Sequence, residues 1–107
     1  MDLQVLSDPQ RPLGVEQATL LILGRPTCDD CQAFYADLAT WNPPRPLEVL
    51  TLNLRAPEGE VFRSLNPWTD HVDFVPFNVL YVSGEPVDQW TGGDLSRLET
   101  ALASLEG

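Results

Sequence analysis

The 107-residue sequence contains no lysine, one histidine and only two cysteines. Six arginines therefore stand alone against 16 acidic residues, a formal net charge of −10 at pH 7. Such a surface repels phosphate groups, so neither nucleic acid nor an anionic membrane is an expected partner. Long apolar runs are missing as well. The longest, near Ala18–Leu23, falls far short of the roughly 18–20 residues needed to cross a bilayer. The first residues, Met1-Asp2-Leu3-Gln4, lack the basic region and apolar core of an export signal. A cytoplasmic location is the expectation. A metal centre within one chain is not expected. Two thiolates leave zinc two ligands short of its usual four, and His71 is the sole imidazole.

What the sequence does hold suffices for one packed domain. Hydrophobic residues make up 43% of the chain and three are Trp, which argues against disorder. The length fits a single domain, 1–107, with its core over 18–106. The acidity has two readings: it keeps the surface solvated, or it steers the protein toward a basic partner.

The two cysteines, Cys28 and Cys31, lie three positions apart. A disulfide closing so short a loop stabilises a fold little compared with one closing a long loop. Without an export signal, the close pair points to redox or metal chemistry instead.

Local pattern places these residues. Leu3–Leu6 is a short extended segment, and Asp8–Gly14 breaks regular structure. Ala18–Leu23 is continuously apolar, as in a strand buried on both sheet faces. A helix is predicted from Cys28 to Trp41, with Phe34, Leu38 and Trp41 at helical spacing and Cys31 and Tyr35 near the same side. Thr27 is its expected cap, and Asp29 and Asp30 suit its first turn. Asn42–Pro46 stops it. A strand follows over Leu47–Leu54, then a short helix from Pro57 to Leu65. Asn66–Asp73 reads as a loop. Phe74–Val82 and Val87–Thr91 read as strands joined by a Ser83–Pro86 turn. Asp94 caps a last helix whose stripe is Leu95, Leu98, Leu102 and Leu105.

Three features occur in a telling order. A buried strand runs into Cys28-Asp29-Asp30-Cys31 at a helix start, Val75-Pro76 opens the next-to-last strand, and a hairpin with Gly92-Gly93 precedes the last helix. In these features the chain resembles the thioredoxin-like superfamily, over about residues 18–106. The resemblance implies an α/β fold: a mixed central sheet with helices on both faces. The family's first helix is missing, because Pro9–Gly14 leaves no space for it. It also implies a cis Pro76 that exposes the backbone of Val75 beside the sulfurs, where a substrate strand can pair. Cys28, the more exposed sulfur in that geometry, is the implied nucleophile, its thiolate favoured by the helix N-terminus. Cys31, one turn inward, is the implied resolving thiol. Thr27, Val75, Pro76, Gly92 and Gly93 form the implied substrate-binding set. The implied activity is thiol–disulfide oxidoreduction with no cofactor beyond the redox-active pair. The implied partners are a disulfide-containing protein or small molecule and an unidentified reductant.

Three departures from the family matter. Thr27 replaces a Trp and so removes a broad apolar contact. Ile22 stands where thioredoxins bury an Asp, the usual proton acceptor for the resolving thiol. Asp29-Asp30 replaces Gly-Pro. The helix dipole is worth about 0.3–1 kcal/mol to a nearby exposed charge. A carboxylate about 7 Å away opposes a thiolate by about 2 kcal/mol at an effective dielectric near 20, before screening. Two such carboxylates should make Cys28 less acidic and the pair more reducing.

Gly92-Gly93-Asp94 also resembles the glutathione-holding segment of glutaredoxins, with Arg25 and Arg97 the nearest basic residues in sequence. The favoured reading is backbone freedom before an N-cap. Trp41, Trp68 and Trp90 are expected in the core or at its rim. Two rival functions remain open at this point: a thioredoxin-like binding module without turnover, and a glutaredoxin-like or metal-carrying dimer built from paired CxxC motifs.

Overall fold

In the computed structural model, which describes residues 1–105, strands and helices follow in the order β1 (Leu3–Val5), β2 (Ala18–Gly24), α1 (Asp29–Ala39), β3 (Leu47–Asn53), α2 (Pro57–Leu65), a 3-10 turn (Pro67–His71), β4 (Phe77–Val82), β5 (Glu85–Thr91) and α3 (Leu95–Ser104). Position 106, the last of the predicted core, lies outside the described residues. The five strands form one sheet in the order β1-β3-β2-β4-β5. β1, β3 and β2 run parallel, while β4 and β5 are antiparallel to their neighbours. No helix lies between β1 and β2, where the Asp8–Gly14 segment crosses instead.

β2 is central, and all seven of its residues are buried. Successive strand residues point to opposite faces. Leu20 and Ile22 therefore enter one apolar layer with Phe34 and Leu38 of α1, Leu80, Trp90, and Leu98 and Leu102 of α3. Leu21 and Leu23 enter a second layer with Leu50, Leu52, Val79 and Phe62 of α2. Helices thus cover both faces, which is why β2 reads as an unbroken apolar run rather than an alternating one. Each fully buried Leu or Phe contributes about 1.5–3 kcal/mol relative to exposure.

Several boundaries move from their predicted places, each for a local reason. α1 ends at Ala39, and Trp41 reaches the core from beyond the helix. β4 begins only at Phe77, because Val75-Pro76 makes no ladder pairing. The hairpin turn is tighter than predicted. Ser83 and Gly84, at φ 55° and 84°, form it alone, as a two-residue hairpin loop requires. Glu85 and Pro86 join β5, where an edge position tolerates a proline. Pro67–His71 winds into a 3-10 turn rather than a plain loop.

α3 is fastened at both ends of its first turn. The Asp94 carboxylate accepts the Ser96 N–H at 2.9 Å. The Arg97 guanidinium donates to both oxygens of Asp88 on β5 at 3.0–3.2 Å, and its central carbon sits 4.5 Å from the centre of the Trp90 ring.

Candidate active site

β2 delivers the chain at Gly24 to a turn closed by the Cys28 N–H on the Arg25 carbonyl, 3.3 Å. α1 then starts. The first N–H groups of any helix lack intrahelical acceptors. Here the acceptor is sulfur: Cys28 is the N-cap, and its Sγ accepts the Cys31 N–H at 3.0 Å. Thr27, the predicted cap, stands exposed one position earlier. A cysteine at this place does what Ser or Asp usually does, because a sulfur carrying partial or full negative charge accepts well at the positive helix end.

Cys28 is half-buried, whereas Cys31 is 0% exposed beneath it. The two are joined by a disulfide. Asp29 and Asp30 occupy the exposed first turn between them. Cys28 Sγ lies 3.8 Å from the Val75 carbonyl oxygen. In the disulfide that sulfur has no proton to donate, so this is a contact. On reduction it becomes an available thiol hydrogen bond.

The Val75–Pro76 peptide bond is cis. The Pro76 carbonyl accepts the Gly92 N–H at 2.8 Å, and the Gly92 carbonyl accepts Asn78 Nδ2 at 2.8 Å. Gly92 takes φ +106°, a conformation side chains resist. Gly93 packs against α1 instead: a Cβ there would lie 2.9 Å from Phe34 Cβ. The structure therefore brings Cys28 and Val75 into contact, links Pro76 to Gly92, and sets Gly93 on the helix that carries the cysteines. Thr27 adjoins Cys28 only along the chain.

Three further residues belong to this region although the sequence did not mark them as site residues. Phe74 is 72% exposed, next to Val75. Asn78 is fully buried and also donates to the Trp90 carbonyl at 3.3 Å. The signal for Asn78 was available: it is the one amide in the apolar run Phe77–Val82. Tyr35, half-buried on α1, has its hydroxyl pKa raised above 10.0 by burial.

No protein-family model and no curated protein matches the chain. Solved structures do. The short form of spinach chloroplast thioredoxin f superposes with a TM-score of 0.73 at 17% identity, covering 98% of this chain and 93% of that one. Chlamydomonas reinhardtii thioredoxin f2 gives 0.70 at 16% identity, over 95% and 94%. Malassezia sympodialis thioredoxin gives 0.66 at 15% identity, over 96% and 90%.

The chain has the thioredoxin fold.

At such identities the likeness extends to architecture, and the chemistry rests on this chain's own residues. Within the thioredoxin fold, Ile22 sits on the strand under α1 and is fully buried in an apolar layer, so that position supplies no carboxylate to the sulfurs. Arg97 is already engaged by Asp88 and Trp90. Trp41 and Trp90 are buried, and Trp68 packs edge-on to Phe62 at 6.1 Å and tilted on Phe77 at 6.3 Å. His71 ends the 3-10 turn, exposed. Among the described residues, no helix is long and apolar enough to cross a membrane, and no three His, Cys, Asp or Glu side chains converge as metal ligands.

Proposed function

We propose that this protein is a thiol–disulfide oxidoreductase that reduces disulfides through Cys28 and Cys31. The observation that carries the reading is Cys28 Sγ acting as helix cap. Its sulfur accepts an N–H at 3.0 Å at the positive end of α1, which favours a thiolate at a half-open position. In the reduced protein that thiolate attacks one sulfur of a substrate disulfide. A mixed disulfide forms and the first substrate thiolate leaves. Cys31, deprotonated, then attacks Cys28 Sγ. The Cys28–Cys31 bond forms, the bond to substrate breaks, and the second substrate thiolate departs. The protein dithiol loses two electrons and the substrate disulfide gains them. A cellular dithiol must return them.

Val75 and Pro76 receive the substrate backbone, supported by the Val75 carbonyl 3.8 Å from the attacking sulfur. Gly92 and Gly93 keep the backbone beside Pro76 free of side chains, and Thr27 borders the entrance. Phe74 supplies the exposed apolar surface that Thr27 does not. Asp29 and Asp30 disfavour the thiolate electrostatically and so poise the pair toward reduction of others. The substrate is a protein or small disulfide, the setting a reducing cytoplasm, and the contribution one of redox homeostasis. A glutathione-binding reading is weakened because Arg97 is held by Asp88.

Equilibration in thiol/disulfide buffers, with free thiols alkylated and weighed, tests the reading. A reversible Cys28–Cys31 pair at or below about −270 mV is expected. A pair toward about −120 mV would make the protein a disulfide donor. No reversible pair would leave a docking module, whose partner binding survives Cys28→Ser.

A further inference from the structure

Resting on this oxidoreductase reading, we infer that the Tyr35 hydroxyl serves the resolving thiol, donating a hydrogen bond to Cys31 Sγ as it becomes a thiolate, in the small space above Gly24.

Cys31 poses a problem that Cys28 does not. It is 0% exposed, and a buried thiolate is strongly disfavoured unless something donates to it. The position beneath it on β2 is Ile22, which can neither accept its proton nor donate to its charge. Among the described residues, the one N–H that reaches either sulfur comes from Cys31 and goes to Cys28.

Gly24 shows what fills the gap. A Cβ placed there would lie 2.7 Å from Tyr35 Oη and 3.2 Å from Cys31 Sγ. Hydroxyl and sulfur therefore border the same side-chain-sized space, which the missing methyl leaves clear. Tyr35 lies one helical turn beyond Cys31 on α1, which brings both side chains to one face. In the disulfide form its hydroxyl makes no hydrogen bond among the described residues, to Cys31 Sγ or to any other group, and so is free to donate when a thiolate forms. A phenol is protonated at neutral pH, and burial raises its pKa further, so it remains a donor.

Gly24 and Tyr35 also border an open groove on the surface. A cavity of about 200 Å³ is lined by Gly24, Arg25, Gln32, Tyr35 and Asn53. The Cys31 proton passes to water, and the Tyr35 hydroxyl holds the charge left behind while the sulfur attacks Cys28. The charged groups around the thiol are Asp29 and Asp30 on α1 and Arg25 on the β2–α1 turn. The β2 and β3 residues at hand, Ile22, Gly24, Thr51, Leu52 and Asn53, do not ionise.

The test is stopped-flow reaction of the reduced protein with the neutral reagent 4,4′-dithiodipyridine. Its first thiopyridone is released by attack of Cys28, in a phase that scales with reagent. The second is released by Cys31, in a phase that does not. Tyr35→Phe keeps the ring and removes the donor. A hydrogen bond to a charged sulfur is worth about one pKa unit or more. The expected result is a second phase slowed about tenfold at pH 7, its pH midpoint raised by about one unit, and an unchanged first phase. Gly24→Ala would set a methyl 2.7 Å from the hydroxyl and 3.2 Å from the sulfur, pushing the tyrosine end away, and should give the same selective slowing. A second phase with the wild-type pH profile in either folded variant overturns the role of Tyr35. A wild-type protein releasing only the first thiopyridone overturns the oxidoreductase reading itself.

Discussion

Leu20 and Cys31 are both fully buried, and both belong to elements that meet at Gly24, yet they occupy different kinds of interior. Leu20 lies among Ala18, Leu38, Val49, Leu80 and Trp90 in a layer with no polar task. Such a place needs only volume and apolarity, and many side chains would serve. Cys31 lies where a helix start, an edge of open backbone, two carboxylates and a phenol converge. There each group is specified by chemistry. A site assembled from loop ends on a rigid sheet can therefore carry its own residues, such as Thr27, Asp29 and Asp30, while the layers beneath keep the architecture.

Substitutions should separate these two interiors. The largest effect is expected from Cys28→Ser. Disulfide reduction should disappear entirely, while thermal unfolding matches that of the reduced wild type, as paired insulin-type turnover and calorimetry would show. Phe34→Ala, one turn beyond Cys31 but facing the apolar layer, should do the reverse. It should cost about 3–5 kcal/mol in urea unfolding, with thiol reactivity retained wherever the variant remains folded. Unchanged stability would mean that the layer collapses around the gap.

A smaller shift is expected from Asp29→Asn with Asp30→Asn. Removing both charges should lower the Cys28 pKa by about one unit and make the pair less reducing, measured from the pH dependence of iodoacetamide alkylation. An unmoved pKa would show that the carboxylates serve only the helix start. The mildest effect concerns Tyr81 in the second layer, where burial pushes its pKa from 10.0 up to about 12. The folded protein keeps this proton where the unfolded chain loses it. The stability present below pH 10 should therefore fall as pH rises from 10 toward 12. Tyr81→Phe should flatten denaturant midpoints across that window, and an equal slope in both proteins would assign the loss to other groups.

Much of the architecture was legible because burial dictates periodicity. The unbroken Ala18–Leu23 run announced a central strand, and the Leu95, Leu98 and Leu102 stripe announced α3. The cysteine pair, Val75-Pro76 and Gly92-Gly93 were legible as punctuation in a telling order. What escaped depends on contacts between distant positions. Tyr35 Oη and Cys31 Sγ both border the space left at residue 24, eleven positions before the tyrosine, because that residue lacks a side chain. The helix cap moved from Thr27 to Cys28 because propensity favours oxygen, whereas the turn on Arg25 presents a sulfur. β4 starts late because Pro76 sends its carbonyl to Gly92 rather than into the ladder. Phe74 carries no periodic signal at all, since its exposure is set by the loop around it.

The buried amide of Asn78 ties two separate stretches of backbone into one frame. It donates to the Gly92 carbonyl while the Gly92 N–H donates to Pro76, so the backbone beside the attacking sulfur is a closed ring of hydrogen bonds rather than two independent loops. A glycine-rich turn built this way forfeits its freedom to swing. An incoming disulfide then meets a slot of set width, and selection among partners falls to the partner's own ability to fit it.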